Sequence, residues 1–175
     1  MQTERLRLEP LVEGHAVEMF AALSDPQLYR FIPEKPPLST AALRQRYRTL
    51  QGGTSADGLQ LWLNWAIRIV SSNRCVGYVQ ATIHAGRTAD FAYVLASAFW
   101  GHGIATEACV AAIDFLETEL AVRSLYATVS AENHRSVRLL ARLGFGEVDA
   151  ARYPHGKVVE GDRVFSLALD SRRTR

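Results

Sequence analysis

Tyr93-Val94-Leu95-Ala96-Ser97-Ala98-Phe99-Trp100-Gly101-His102-Gly103-Ile104-Ala105-Thr106-Glu107-Ala108 is the stretch from which the fold can be read. It begins as an apolar β-type run, passes through a short loop with two glycines, and enters a helical pattern. Glycine lets a backbone approach a ligand closely. The first turn of a helix leaves N–H donors unpaired beside a partial positive charge. Together these features suit an anion, a pyrophosphate above all. Thr106 adds a hydroxyl in that first turn. Two common phosphate patterns do not fit. The dinucleotide fingerprint needs a third glycine where Thr106 stands, and the Gly-Lys-Ser/Thr run of a P-loop is missing.

Working outward from this loop, the periodicity predicts the other elements. Residues 4–11 alternate, with Leu6 and Leu8 on one side and Arg5, Arg7 and Glu9 on the other, as in a half-buried strand. Residues 13–24 place Val17, Phe20, Ala21 and Leu23 at helical spacing, and Asp25-Pro26 stops that helix. Residues 31–38 hold three prolines and read as a loop. Ser39 then caps a helix over 40–50 that ends at Gly52-Gly53. Strands over 61–70, 75–84 and 88–95, joined by tight turns, predict an antiparallel meander. Downstream the period changes to a helix over 103–120, a strand over 125–129, a helix over 133–143 and strands over 145–149 and 163–169. A strand, helix, strand order calls for a crossover and one parallel pair. The expected class is α/β (α+β): a mixed, mostly antiparallel twisted sheet of six to seven strands with helices on both faces. Residues 1–170 form the single expected domain, and 171–175 a basic tail carrying Arg172, Arg173 and Arg175.

Composition narrows the function classes. With 48% hydrophobic and 22% charged residues, the chain has enough apolar content for a core without disulfides or metal. Lys35 and Lys157 are the only lysines, so 18 of the 20 basic side chains are arginine, spread without a stripe. That distribution argues against nucleic acid and still suits a phosphate-rich ligand. Cys75 and Cys109 fit no metal spacing and read as buried free thiols. The charged opening MQTERLRLEP is unlike a signal peptide, and no apolar run spans a bilayer, so the expectation is cytoplasmic with no membrane partner.

A second constellation follows the crossover. Asn133-His134-Arg135-Ser136 opens a helix that continues through Arg138 and Arg142 to Leu143-Gly144-Phe145. By itself Asn133 is a good N-cap, and Ser136 an ordinary helix residue. Taken together, the Gly101-His102-Gly103 loop and Asn133-x-x-Ser136 resemble the two cofactor motifs of the GNAT acetyltransferases. The match follows residue order along nearly the whole chain. Glu4-Arg5-Leu6-Arg7-Leu8 and Gly161-Asp162-Arg163-Val164-Phe165-Ser166-Leu167 resemble the RimJ/RimL-like branch, whose members acetylate protein N-termini or small amines. One departure is Ala98, where the family signature opens with Gln or Arg.

The resemblance implies an acetyl-CoA-dependent N-acetyltransferase, with coenzyme A as co-substrate, no metal, and a primary amine as acceptor. Backbone amides of Gly101, His102, Gly103, Ile104, Ala105 and Thr106 would hold the pyrophosphate. Val94 and Leu95 would pair with the pantetheine arm, and Asn133 would bond it. Arg138 or Arg142 would reach the 3′-phosphate. Ser136 is the candidate acid for the leaving thiolate, with Tyr93 and Tyr126 as competing donors. Asp90 is the candidate base, standing where many members carry glutamate; the competing reading is a solvent-facing strand residue. Glu34, Trp62, Asn64, Gln80 and Tyr153 are candidates for the acceptor side. Dimers are common among such enzymes, so a homodimer is one option. The alternative function is a non-catalytic acyl-CoA-binding sensor.

Overall fold

In the computed structural model, residues 1–32 and 34–169 are described. The tail arginines lie outside the described residues. Seven strands form one sheet in the order β1-β2-β3-β4-β5-β7-β6. These are β1 (Leu6–Pro10), β2 (Leu61–Ile69), β3 (Arg74–His84), β4 (Thr88–Leu95), β5 (Ser124–Ser130), β6 (Gly146–Val148) and β7 (Asp162–Ala168). The helices are α1 (His15–Leu23), α2 (Thr40–Gln51), α3 (Ile104–Thr118) and α4 (His134–Leu143). The expected α/β class, strand number and single parallel pair are all observed. No helix among the described residues is long and apolar enough to cross a membrane.

Each face of the sheet has its own core. On one, Leu6, Leu8, Ile67, Val79, Phe91 and Leu125 pack against α3 and α4. On the other, Ala66 and Cys75 pack against Ala16, Met19, Leu23, Leu43 and Tyr47 of α1 and α2. The period-two alternation of strands makes this division, since Trp65 and Ile67 face one way and Ala66 the other. Both cysteines are free and buried, as their surroundings in the sequence suggest. The Ser39 hydroxyl accepts the Ala42 N–H at 3.1 Å, which is the predicted cap of α2.

The α1 face differs from expectation. Ala16, Met19 and Leu23 are buried, whereas Val17 is 56% exposed. His15 sets the rotation: its Nδ1 accepts the Val12 N–H at 3.0 Å and its Nε2 meets Glu9 at 3.1 Å. Arg68 joins the same cluster by bonding Glu9 and Glu18. Glu9 comes from β1, Arg68 from β2 and Val12 from the segment before α1, and the helical spacing alone could not anticipate them.

The parallel contact between β4 and β5 is short. Only Thr88↔Ser124, Ala89↔Leu125 and Asp90↔Tyr126 are paired, and beyond them the strands part. Residues 91–95 therefore keep one edge toward β3 and leave the other open. Near the far end of β4, β3 carries Gly77, opposite Leu95 and beside a register shift against β2. A Cβ at Gly77 would lie 2.1 Å from the Val94 oxygen and 2.9 Å from the Leu95 Cα. Both neighbours are backbone and cannot swing aside.

Gly77→Ala should therefore destabilise the fold by about 1–3 kcal/mol in denaturant titrations, as overpacked core positions do. Gly14→Ala is the control, because nothing lies within 4 Å of its Cβ position. It should change stability by no more than about 0.5 kcal/mol.

Candidate active site

The wedge between β4 and β5 is bordered by the glycine loop and the start of α4. Gly101 and Gly103 both take positive φ, +81° and +77°, which an L side chain adopts only with strain. Nothing lies within 4 Å of a Cβ placed at Gly101. Gly103 caps α3 without a side-chain bond, and Glu107 is the first residue whose N–H bonds back, to the Gly103 carbonyl at 3.0 Å. The amides of Ile104, Ala105 and Thr106 thus precede any intrahelical acceptor.

A clamp from the N-terminal strand holds this loop. Arg5 Nη1 donates to the His102 carbonyl at 3.0 Å, and its Nε donates to Glu107 at 2.6 Å. Glu107 also accepts the Arg5 backbone N–H and the Thr3 hydroxyl. Burial opposes its charge, but the Thr3 and Arg5 bonds outweigh that and hold its carboxyl below the usual range.

Trp100 connects the loop to both sides of the wedge. Its indole N–H donates to the Leu95 carbonyl at 2.7 Å, and the Arg135 guanidinium lies 4.7 Å above its ring. The Val94 oxygen is turned toward Gly77 of β3. The Val94 backbone groups therefore face β3 and the Leu95 carbonyl is engaged, so pairing by this segment on the open side falls to the Leu95 N–H.

Tyr93 and Ser136, 43 residues apart, meet across the wedge. The Tyr93 phenol lies 2.7 Å from Ser136 Oγ. Burial pushes this phenol well above its ordinary range, more than the Ser136 bond lowers it, so it keeps its proton. Asn133 caps α4 by accepting the Ser136 N–H at 3.2 Å. Its amide NH2 remains available as a donor. Arg138 is exposed on the same helix.

Asp90 lies at the last paired position before the strands part, opposite Tyr126. Its Oδ2 bonds His84 Nε2 at 2.8 Å, and its Oδ1 accepts Tyr153 Oη at 2.9 Å and His155 Nδ1 at 2.8 Å. The two imidazoles stack with centroids 3.7 Å apart. Thr88 Oγ1 meets the remaining nitrogen of His155 at 2.8 Å. A carboxylate offers about four acceptor positions, so three are filled. The side chain is one-third exposed, which leaves the fourth open to solvent. Burial, then the neighbouring carboxylate, pushes the Tyr153 phenol up and keeps it a donor.

His84, Asp90 and His155 also lie close enough together to consider a shared cation. The rings are only 19° from parallel, so their in-plane lone pairs run side by side. Each nitrogen addresses a separate carboxylate oxygen at hydrogen-bond distance. This geometry suits hydrogen bonding better than chelation.

On the α1/α2 face lies a cavity of about 230 Å³, lined by α2, residues 32 and 34–38, and the β2–β3 strands. Glu34, Asn64 and Gln80 line it; Trp62 does not, and its indole instead bonds Gln60 at 3.1 Å. Gln80 opposes Ala92 and Thr82 opposes Asp90, so the cavity floor runs toward the Asp90 cluster.

Residues 5–146 match the family model described as acetyltransferase (GNAT) domain. The chain belongs to the GNAT acetyltransferase family. An uncharacterised N-acetyltransferase, YoaA of Bacillus subtilis, is 22% identical over 147 residues, covering 83% of this chain and 81% of that protein. A Vibrio cholerae spermidine N-acetyltransferase, solved with CoA and spermine, superposes with a TM-score of 0.77 at 19% identity, covering 96% and 98% of the two chains. Mycobacterium smegmatis RimJ, solved with CoA-disulfide, gives 0.78 at 22% identity, covering 95% and 83%. The last two likenesses establish a shared fold.

Against this GNAT frame, the structure brings Gly101, His102, Gly103, Ile104, Ala105 and Thr106 to one end of the wedge. Asn133 and Ser136 stand on its α4 side. Arg135, Arg5, Glu107 and His155 were not singled out as site residues from the sequence. Arg5, Glu107 and Arg135 nevertheless fell within stretches already singled out.

Asp90 ties the 149–161 loop to β4 through Tyr153 and His155. Asp90→Asn puts an amide NH2 among three donors and should release that loop. Hydrogen exchange at residues 150–160 should rise about tenfold or more, with β3 protection unchanged. Unchanged exchange would mean the loop is held by other contacts.

Proposed function

We propose that the protein transfers an acetyl group from acetyl-CoA to a primary amine of a small molecule or a protein N-terminus, by direct attack in a ternary complex. The observation that carries this reading is the glycine loop at the head of the wedge. Its positive-φ glycines, the open space at Gly101 and the free first-turn amides fit a pyrophosphate. The RimJ/RimL-like assignment rests on the opening and closing strands and is supported by the RimJ neighbour. The reaction is assigned to the cytoplasm.

Acetyl-CoA, when bound, supplies an activated thioester carbon. The chain's residues do the remaining work. Amides of residues 101–106 hold the phosphates, with the His102 carbonyl pinned by Arg5. The Val94 and Leu95 segment and Asn133 orient the pantetheine arm, and Arg138 takes the 3′-phosphate. Ser136 gives a proton to the departing sulfur and regains one from solvent, while the Tyr93 phenol, which keeps its own proton, holds the Ser136 oxygen by a hydrogen bond. Asp90 accepts the amine proton through a water at its fourth acceptor position. His84 Nε2 must donate to that carboxylate, which leaves Nδ1 as the basic nitrogen of the ring. The amine acceptors of the spermidine N-acetyltransferase neighbours support an amine here.

Release of CoA thiol, measured against pooled amines and N-terminal peptides, tests the reading. Acceptor-dependent release is expected. Acetyl-CoA binding without release from any pool would favour the sensor alternative. Gly103→Glu should remain folded and lose acetyl-CoA binding, because it puts a negative charge on the anion site. Ser136→Ala should lower kcat about 100-fold or more and leave acetyl-CoA Kd largely unchanged. Unchanged turnover would remove Ser136 from the chemistry.

A further inference from the structure

The cavity on the α1/α2 face carries information about the acceptor's charge. Its lining is mainly apolar and aromatic, and only Glu34, Lys35 and Arg46 bring formal charge. None of the three forms an ion pair among the described residues. Arg46 and Glu34 both act electrostatically on the Tyr78 phenol, so both charges are felt at the cavity floor. The floor also offers Asn64 and Gln80, whose side chains make no hydrogen bond among the described residues. Tyr47, also in the lining, is 2% exposed, and its hydroxyl is buried with no partner among the described residues. An orphaned buried hydroxyl is unfavourable, and a polar ligand group at this floor would satisfy it.

A polycation meets two cations and one carboxylate here. Repulsion by the extra positive charge selects against it. The opposite substituent gains from Arg46 and Lys35, and from the hydroxyl and amide donors of Tyr78, Asn64 and Gln80. Position sets the spacing. Tyr78 and Gln80 pair with Val94 and Ala92 of β4, and the wedge opens on the other side of that strand. Two strand spacings separate floor and wedge, roughly 10 Å. The acceptor's amine and its second group are therefore several bonds apart.

We propose that the acceptor is an amine on an uncharged, largely apolar body that carries an anionic group, such as a carboxylate, several bonds away, and is not a polyamine. This inference rests on the amine-acetyltransferase reading above. It separates the protein from its polyamine-acetylating fold neighbours by charge at one cavity.

Three primary amines of equal chain length test it: 6-aminohexanoate, hexylamine and 1,6-diaminohexane. With the full chain and acetyl-CoA, kcat/KM should fall in that order, by about fivefold or more from first to last, the effect of about 1 kcal/mol of charge interaction. Arg46 is exposed on α2, so Arg46→Glu should keep the wild-type melting temperature, and it should reverse the order. A wild-type preference for 1,6-diaminohexane overturns the inference. So does an order that Arg46→Glu leaves unchanged. Turnover of none of the three with acetyl-CoA still bound also overturns it, while leaving the parent reading to the wider acceptor pools. Failure to bind acetyl-CoA overturns the parent reading itself.

Discussion

The parting of β4 from β5 after Asp90↔Tyr126 is the constraint on which the rest depends. A continuous parallel ladder would use up the backbone edge of residues 91–95. Because pairing stops after three positions, that edge stays open inside a well-packed sheet. The cost is borne by packing on either side. α3 and α4 cover one face with a continuous apolar layer, and α1 and α2 cover the other. Gly77 allows β3 to follow β4 closely where β4 has lost its second neighbour.

Polar bridges between distant segments then fix the wedge walls. Arg5 and Glu107 join the first strand to the glycine loop across 102 residues of sequence. Trp100 joins the loop to β4 and α4, and Tyr93 joins β4 to Ser136. Fixed donors of this kind need little reorganisation when charge develops, which is how enclosed sites stabilise reacting groups. The Trp100–Leu95 and Tyr93–Ser136 bonds are also partly buried, where water competes less for the same atoms.

The two sides of the sheet divide the chemistry. The glycine loop leaves the first-turn amides of α3 without intrahelical acceptors, whereas the cavity under α2 presents one carboxylate, two cations and several neutral donors. Asp90 stands between them and is occupied on three sides by His84, Tyr153 and His155. Its role in the fold is to hold the 149–161 loop against β4. In the proposed reaction it would share proton handling with the histidine it orients.

Most of the fold was legible in the sequence because its signals are local. Alternation marks Leu6 and Leu8 of β1, helical spacing marks Ile104 through Leu116 of α3, and Ser39 and Gly144 mark helix ends. The glycine loop was legible for the same reason: backbone freedom and a helix start are written in adjacent residues. The rotation of α1 was not, because His15 takes its partners from Val12 and Glu9 rather than from its own helix. Nor were the surroundings of Asp90, since His155 is 65 residues away and reaches it only through the packing of a loop. The sequence by itself determined the elements, their order and the glycine turn that opens α3. Tertiary structure alone decided where β4 leaves β5, which hydroxyl meets Ser136 and which charges face the cavity, because those depend on sheet register and loop packing between residues far apart in the chain.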